Sequence, residues 1–269
     1  MTTDYRDRFV LSHHPFEKRS LHQHHVETAG SRRLARRVEW LLSERGLGLV
    51  TGPPGVGKTA DMHAVLKPLP SHQYRVVYLE DSSAGVGDLF RALAVSLDLQ
   101  PAHRRGALWR DLKAHLCKLE EENDQQVILV IDDAHRLAPA FLLSLGAFMN
   151  FAFDSREVLT TWLVGDSRLR NTLALNTHRH LHSRVRLHVH LDPLTRTELQ
   201  DFIIACLAAA GCTRQVFTDP ALDATFHLSH GLPRTAASLL AIALRLAHEQ
   251  DKDIVCDRVI EDAAGELLL

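Results

Sequence analysis

Eight consecutive residues constrain this chain more than any others: Gly52, Pro53, Pro54, Gly55, Val56, Gly57, Lys58 and Thr59. They satisfy every required position of the pattern G-x-x-x-x-G-K-[ST]. Glycines without a Cβ let several backbone N–H groups converge on an anion. Lys58 adds a point charge for β- and γ-phosphate oxygens, and the Thr59 hydroxyl is a ligand for Mg²⁺. The loop should run into a helix N-terminus, where free N–H groups and the helix dipole favour phosphate. The flanks agree. Residues 47–51 form a short apolar run that reads as a buried parallel strand, and residues 59–67 read as a helix closed by Pro68 and Pro70. All eight residues are therefore candidate nucleotide ligands, with ATP and Mg²⁺ as the expected cofactors.

A second stretch matches the first. Residues 127–131 are five consecutive apolar residues followed by Asp132 and Asp133. A fully buried strand that emerges at two carboxylates is the Walker B pattern. Asp132 is the candidate for the Mg²⁺ shell, and Asp133 stands where a base polarises the attacking water. A carboxylate that caps the following turn is the alternative for Asp133. Residues 158–164 read as a fourth strand ending at Gly165-Asp166-Ser167. Asp166, with Ser167 in reserve, is a candidate to contact the γ-phosphate or orient water; an N-cap for the next helix is the alternative. Within residues 181–191, apolar Val185, Leu187, Val189 and Leu191 alternate with Arg184, Arg186, His188 and His190. The histidines read as a polar strand face. Arg184, just before this strand, is the candidate to reach a neighbouring subunit's nucleotide; Arg179 is the other choice, and a surface arginine the plain one.

The rest of the chain gives these motifs a frame. Residues 75–79 read as the second strand, and helices are expected from Asp88, through Leu108 to Leu119, and over 141–153, with a basic loop at 100–106 and a polar turn at 120–126. Before the first strand lie an extended arm around Pro15-Phe16, surface histidines at 22, 24 and 25, and a helix from Ser31. That helix sets Leu34, Val38, Leu41 and Leu42 against Arg32, Arg33, Arg36 and Arg37. After residue 193 only helices are expected, over 195–210, 219–229, 232–250 and 256–268, with Asp219-Pro220 as N-cap and N1 of the second. The reading is an α/β fold with a five-stranded parallel sheet, helices on both faces, and an all-helical lid. The expected division is 1–45 for the arm and helix, 46–192 for the core and 193–269 for the lid.

Composition narrows the setting. A net charge of −2 over 269 residues argues against a general polyanion binder, so any nucleic-acid surface must be local. Four scattered cysteines without a C-x-x-C pair fit a reducing compartment and no zinc site. The charged N-terminus and the lack of any membrane-length apolar run point to a cytoplasmic protein without a membrane partner.

Taken together, the loop, the Walker B strand, the polar strand end, the arginine before the fifth strand and Gly231-Leu232-Pro233-Arg234 in the helical part resemble an AAA+ ATPase over nearly the whole chain. Within that class, Pro15-Phe16, Gly165-Asp166 and the G-x-P-R are similar to the ExeA-like ATPases and the TnsC/TniB-type transposon regulators. The resemblance implies that Arg234 touches the γ-phosphate from the lid and that Arg184 acts in trans. It implies a homo-oligomer, ring or helical filament, around double-stranded DNA, with DNA contacts near Ser82 and Ser83 and at Arg104 and Arg105. It implies recruitment of a transposase at sites chosen with a target-selection protein. Relatives usually carry Glu where this chain has Asp133, so slow hydrolysis is expected. Two alternatives follow from the same likeness. One is the secretion-associated ExeA-like role, whose members usually continue into a membrane helix and a cell-wall-binding module. The other is a different AAA+ machine, such as a helicase loader or protein remodeller.

Overall fold

The computed structural model describes residues 4–80, 85–152 and 155–267. Five strands form one sheet: β1 Gly46–Thr51, β2 Tyr74–Leu79, β3 Gln126–Ile131, β4 Leu159–Gly165 and β5 Val185–His190. Their order is β2-β3-β4-β1-β5, and every adjacent pair is parallel. Burial follows position. The interior strands β1, β3 and β4 are buried along their whole length, as expected of parallel strands covered on both faces. The edge strand β5 alternates, with His188 and His190 exposed and Val189 buried.

The short helices α1 Tyr5–Phe9 and α2 Lys18–Gln23 precede α3 Ala29–Glu44, and α4 Lys58–Leu66 follows the glycine loop. Between the strands lie α5 Val86–Ser96, α6 Arg105–Asn123, α7 Pro139–Phe148, α8 Ser167–Leu173 and α9 Arg179–His182. The C-terminal helices are α10 Arg196–Ala209, α11 Asp219–Ser229, α12 Pro233–Glu249 and α13 Asp257–Glu266.

The chain packs as two units. One holds residues 31–53 and 61–191; the other holds 1–30, 54–60 and 192–269. This differs from the three-part division expected above. The arm belongs with the C-terminal helices, because Tyr5, Phe9, Leu11 and Phe16 are buried in their core. The helix that follows it belongs with the sheet.

In the sheet unit, Leu47 and Leu49 face a core built from α5 to α9, in which Phe90 packs its ring against Phe141 and Phe148. Gly48 faces the other way. A Cβ there would lie 2.6 Å from the Trp162 ring and 2.8 Å from Leu41 of α3. The absent side chain is what lets a fully buried tryptophan and a helix share that face.

Several expected boundaries move. The arm around Pro15-Phe16 is flanked by α1 and α2 rather than being extended throughout. The basic loop at 100–106 ends sooner, since Arg105 and Gly106 lie in the first turn of α6. The polar turn at 120–126 shrinks to Asp124 and Gln125, since 120–123 are the last turn of α6 and Gln126 is the first residue of β3. Helix α7 stops at Phe148 rather than 153. Thr218, not Asp219, caps α11: its hydroxyl accepts the Ala221 N–H, and Asp219 is the first helical residue.

Candidate active site

In a parallel sheet every strand delivers its chain to the same edge, where ligands of open α/β sheets bind. Thr51, the last residue of β1, pairs with Gly165 on one side and His190 on the other. The Asp132 N–H, just past β3, donates to the Leu79 carbonyl at 3.0 Å. Gly52, Asp132 and Asp166 therefore leave one edge of the sheet, whereas Arg184 stands at the opposite edge, where β5 begins.

From Pro54 on, the glycine loop packs in the unit that holds the C-terminal helices. Gly55 and Gly57 have φ of +84° and +106°, the left-handed region open to glycine. Lys58 and Thr59 are the first residues of α4, so the expected helix N-terminus is in place. The Arg234 N–H donates to the Gly55 carbonyl at 3.2 Å, and a Cβ at Gly55 would sit 3.1 Å from the Arg234 Cβ. Arg234 is thus seated on the loop, at the first turn of α12, with an exposed side chain. The turn that delivers it depends on Gly231. Its φ is +71°, and any Cβ would fall 2.2 Å from the Leu194 carbonyl oxygen. A triphosphate suits this donor set: a glycine cradle without side chains, a lysine, a helix N-terminus and an adjacent arginine. Thr59 offers a hydroxyl and Asp132 a carboxylate, each a hard oxygen donor of the kind Mg²⁺ takes.

On the sheet side, Asp133 has φ of +46°, a conformation that aspartate tolerates better than most residues. Its N–H donates to Asp132 Oδ1 at 2.8 Å, which orients the Asp132 carboxylate. The Asp133 side chain is about half exposed, so it is open to solvent. A 3-10 turn over Ala134–Arg136 then brings His135 against the end of β4. Its Nε2 lies 3.7 Å from Asp166 Oδ2 and its Nδ1 4.0 Å from Asp133 Oδ1. The approach requires Gly165, because a Cβ there would meet the His135 backbone nitrogen at 3.2 Å. His135 was not singled out from sequence; its only mark there is its place two residues after the acidic pair.

Asp166 caps α8. Its Oδ1 accepts the Arg168 N–H at 2.9 Å and its Oδ2 accepts Arg168 Nε at 2.8 Å. The hydrogen bond from the Arg168 side chain holds this carboxyl below the usual carboxylate range. Ser167 is the exposed first residue of the same helix.

The remaining candidates are dispersed. Arg184 Nη1 lies 4.0 Å from Glu157 Oε1, and its side chain is only 15% exposed. Arg179, at the start of α9, is exposed. Arg104 is an exposed N-cap residue of α6. Arg105 sits in the helix, not in a loop: it donates to Ser144 Oγ at 2.9 Å and stacks over Trp109 at 5.1 Å. Ser82 and Ser83 lie outside the described residues.

Residues 38–173 match the AAA domain family. Over 191 residues the chain is 30% identical to general secretion pathway protein A of Aeromonas hydrophila, which covers 70% of this chain and 35% of that protein. The chain thus spans about a third of that relative's length. Among solved structures, Cdc6p from Pyrobaculum aerophilum matches with a TM-score of 0.71 at 18% identity, over 98% of this chain and 71% of that one. The Aeropyrum pernix ORC1 protein in complex with DNA matches at 0.67 and 19%, over 89% and 64%. The RuvB Holliday junction branch migration motor of Thermotoga maritima matches at 0.61 and 19%, over 90% and 70%. At these identities the structural likeness speaks for the fold. The family match spans the glycine loop, both aspartates of the Walker B strand and the end of β4, and on that ground the chain belongs to the AAA domain family of P-loop ATPases.

Proposed function

We propose that this chain is an ATP-driven assembly switch, a homo-oligomer in ring or filament form that works on double-stranded DNA to recruit or activate a transposase at sites chosen with a target-selection protein. The observation that carries the switch is the seat of Arg234 on Gly55. A helix of the C-terminal unit is bonded to the loop that grips phosphate, so the loop's occupancy is felt where α12 begins. Lys58 and the loop N–H groups bind the phosphates, Thr59 and Asp132 hold Mg²⁺, and Arg234 reads the γ-phosphate. Bound Mg²⁺ neutralises phosphate charge. Asp133 accepts the proton of the attacking water, and Asp166 helps to place that water.

Of the two arginines considered for the trans role, Arg179 is ready to meet a neighbour. Arg184 would first have to leave Glu157. The DNA part rests on the family resemblance and on neighbours such as the ORC1 protein in complex with DNA and the branch migration motor. Arg104 remains the better of the paired basic candidates, since Arg105 is engaged with Ser144 and Trp109.

A second reading has its own support. The 30% identity to general secretion pathway protein A favours an ATPase that serves secretion. One titration separates them. Duplex DNA is added to the purified protein at several salt concentrations, with and without ATP. The DNA reading expects binding that needs ATP, shows little sequence preference and falls steeply with salt as counterions are released. Equal or absent binding in both nucleotide states would turn the choice to the secretion reading. Lys58→Ala should lose ATP binding and, with it, any ATP-dependent assembly.

A further inference from the structure

Behind the glycine loop lies a hydrogen-bond junction that none of the assigned roles uses. Thr51, the residue before Gly52, is 1% exposed. Its Oγ1 lies 2.7 Å from His188 Nε2 and 2.8 Å from His190 Nδ1. The two rings converge because His188 and His190 are two apart on β5 and share a face of the strand. The Thr51 carbonyl meanwhile accepts the Leu191 N–H at 2.8 Å. The last residue of β1 is therefore tied to β5 through both its backbone and its side chain, directly before the loop.

The chemistry of the junction restricts its protons. A hydroxyl has one hydrogen to donate, and a neutral imidazole has one N–H and one acceptor nitrogen. With both rings neutral, Thr51 donates to one ring and accepts from the other, so the hydroxyl and the two ring nitrogens that face it are satisfied. If both rings are protonated, two N–H donors face the same oxygen. The Thr51 proton then loses both imidazole acceptors, and two positive rings stand 6.3 Å apart. A buried donor without a partner is costly.

We propose that Thr51, His188 and His190 are positioning residues for the nucleotide, a proton-sensitive clamp that sets the first residue of the glycine loop against β5. The proposal rests on the ATP-binding role assigned to that loop. The charged groups around the clamp reinforce its sense. Arg170 of α8 and the His190 ring act on His188, and Arg33 of α3 donates to the His190 carbonyl. Partial burial of the ring, followed by those two neighbours, pushes His188 below the ordinary imidazole value. The direction follows from that sign. A histidine held low favours the neutral folded form, so its contribution is intact above the ordinary value and is lost as the pH falls through the depressed one.

The test measures ATP affinity from pH 5.5 to 8 for the wild type, Thr51→Val, Thr51→Ser and His188→Gln, with each protein's fold checked by circular dichroism. The wild type should bind ATP more weakly at the acid end. Thr51→Val keeps the shape but removes the hydroxyl. It should bind roughly three- to tenfold more weakly near neutral pH, the range of one hydrogen bond, and lose most of the pH dependence. Thr51→Ser should restore both. His188→Gln alters a residue on the exposed face of β5 and should flatten the profile even if Thr51→Val folds poorly. A Thr51→Val or His188→Gln protein with wild-type affinity and wild-type pH profile would overturn the clamp while leaving the ATP site standing. A wild type that binds no ATP at any pH would instead overturn the nucleotide reading beneath it.

Discussion

Asp133 combines two demands on one residue. In its proposed role as base it must reach a water; as the residue after Asp132 it adopts a left-handed backbone, at φ of +46°. Aspartate meets the second demand better than glutamate, whose longer side chain cannot support that conformation locally. The shorter reach is thus coupled to the turn. Asp133→Asn should keep ATP affinity but slow turnover by about 10²–10⁴-fold, the usual worth of general-base assistance. A steady-state ATPase assay checks this, and an unchanged rate would leave Asp133 as a turn former. The proposed trans role of an arginine is also a single-residue question. Arg179→Ala should leave ATP binding by the isolated subunit intact and reduce hydrolysis in the assembled form, with Arg184→Ala showing the smaller loss of the two. The reverse ranking would mean that Glu157 releases Arg184 on assembly. Mixing the stronger variant with Lys58→Ala, with co-assembly shown separately, should restore part of the activity.

At the scale of elements, legibility in the sequence followed the physics of burial. The strands β1, β3 and β4 were readable because full burial leaves them mostly apolar, with Thr51, Gln126, Thr160 and Thr161 as buried polar exceptions, and the acidic pair after β3 marks its end. Helix ends were less readable. Gly106 reads as a loop residue on propensity, yet nothing lies within 4 Å of where its Cβ would be, so it is a tolerated glycine in the first turn of α6. The polar run at the other end of α6 looks like a turn, but Glu120 pairs with Arg45 and Arg156, and Arg156 also pairs with Glu121. Tertiary ion pairs, invisible to periodicity, carry the helix on. Helices of five or six residues such as α1 and α2 have too few turns to show a period. The candidate site divides in the same way. Local motifs gave the loop and Walker B, whereas His135 and the Thr51 junction exist only through contacts between distant segments.

One element carries its own test. Thr195 and Glu198 form a reciprocal capping box at the start of α10, the first C-terminal helix. Thr195→Ala should cost about 1 kcal/mol, read as a lower denaturation midpoint with an unchanged slope. A loss within error would mean that the packing of α10 alone sets its start.

On the scale of the whole molecule, ATP is a stabilising ligand if it binds only the folded chain. At a hundred times its dissociation constant it should add about 2.7 kcal/mol, seen as a higher melting temperature that Lys58→Ala abolishes. Gly231→Ala should blunt the same shift without touching any phosphate-binding group. A Cβ only 2.2 Å from the Leu194 carbonyl must displace the turn that brings Arg234 to Gly55. An undiminished shift in this variant would show that Arg234 adds nothing to the grip on nucleotide.

The packing of residues 54–60 has a consequence for how such a chain can be cut and recombined. These seven residues lie between β1 and the body of α4 in sequence, but they pack with the arm and the C-terminal helices. A boundary drawn at the end of β5 would retain every strand and still separate the phosphate loop from its packing partners. The portable module is therefore not the sheet with its helices. A chimera that exchanges the C-terminal helices should inherit nucleotide affinity from the donor of those helices and of the loop together, and a graft of either alone should lose it.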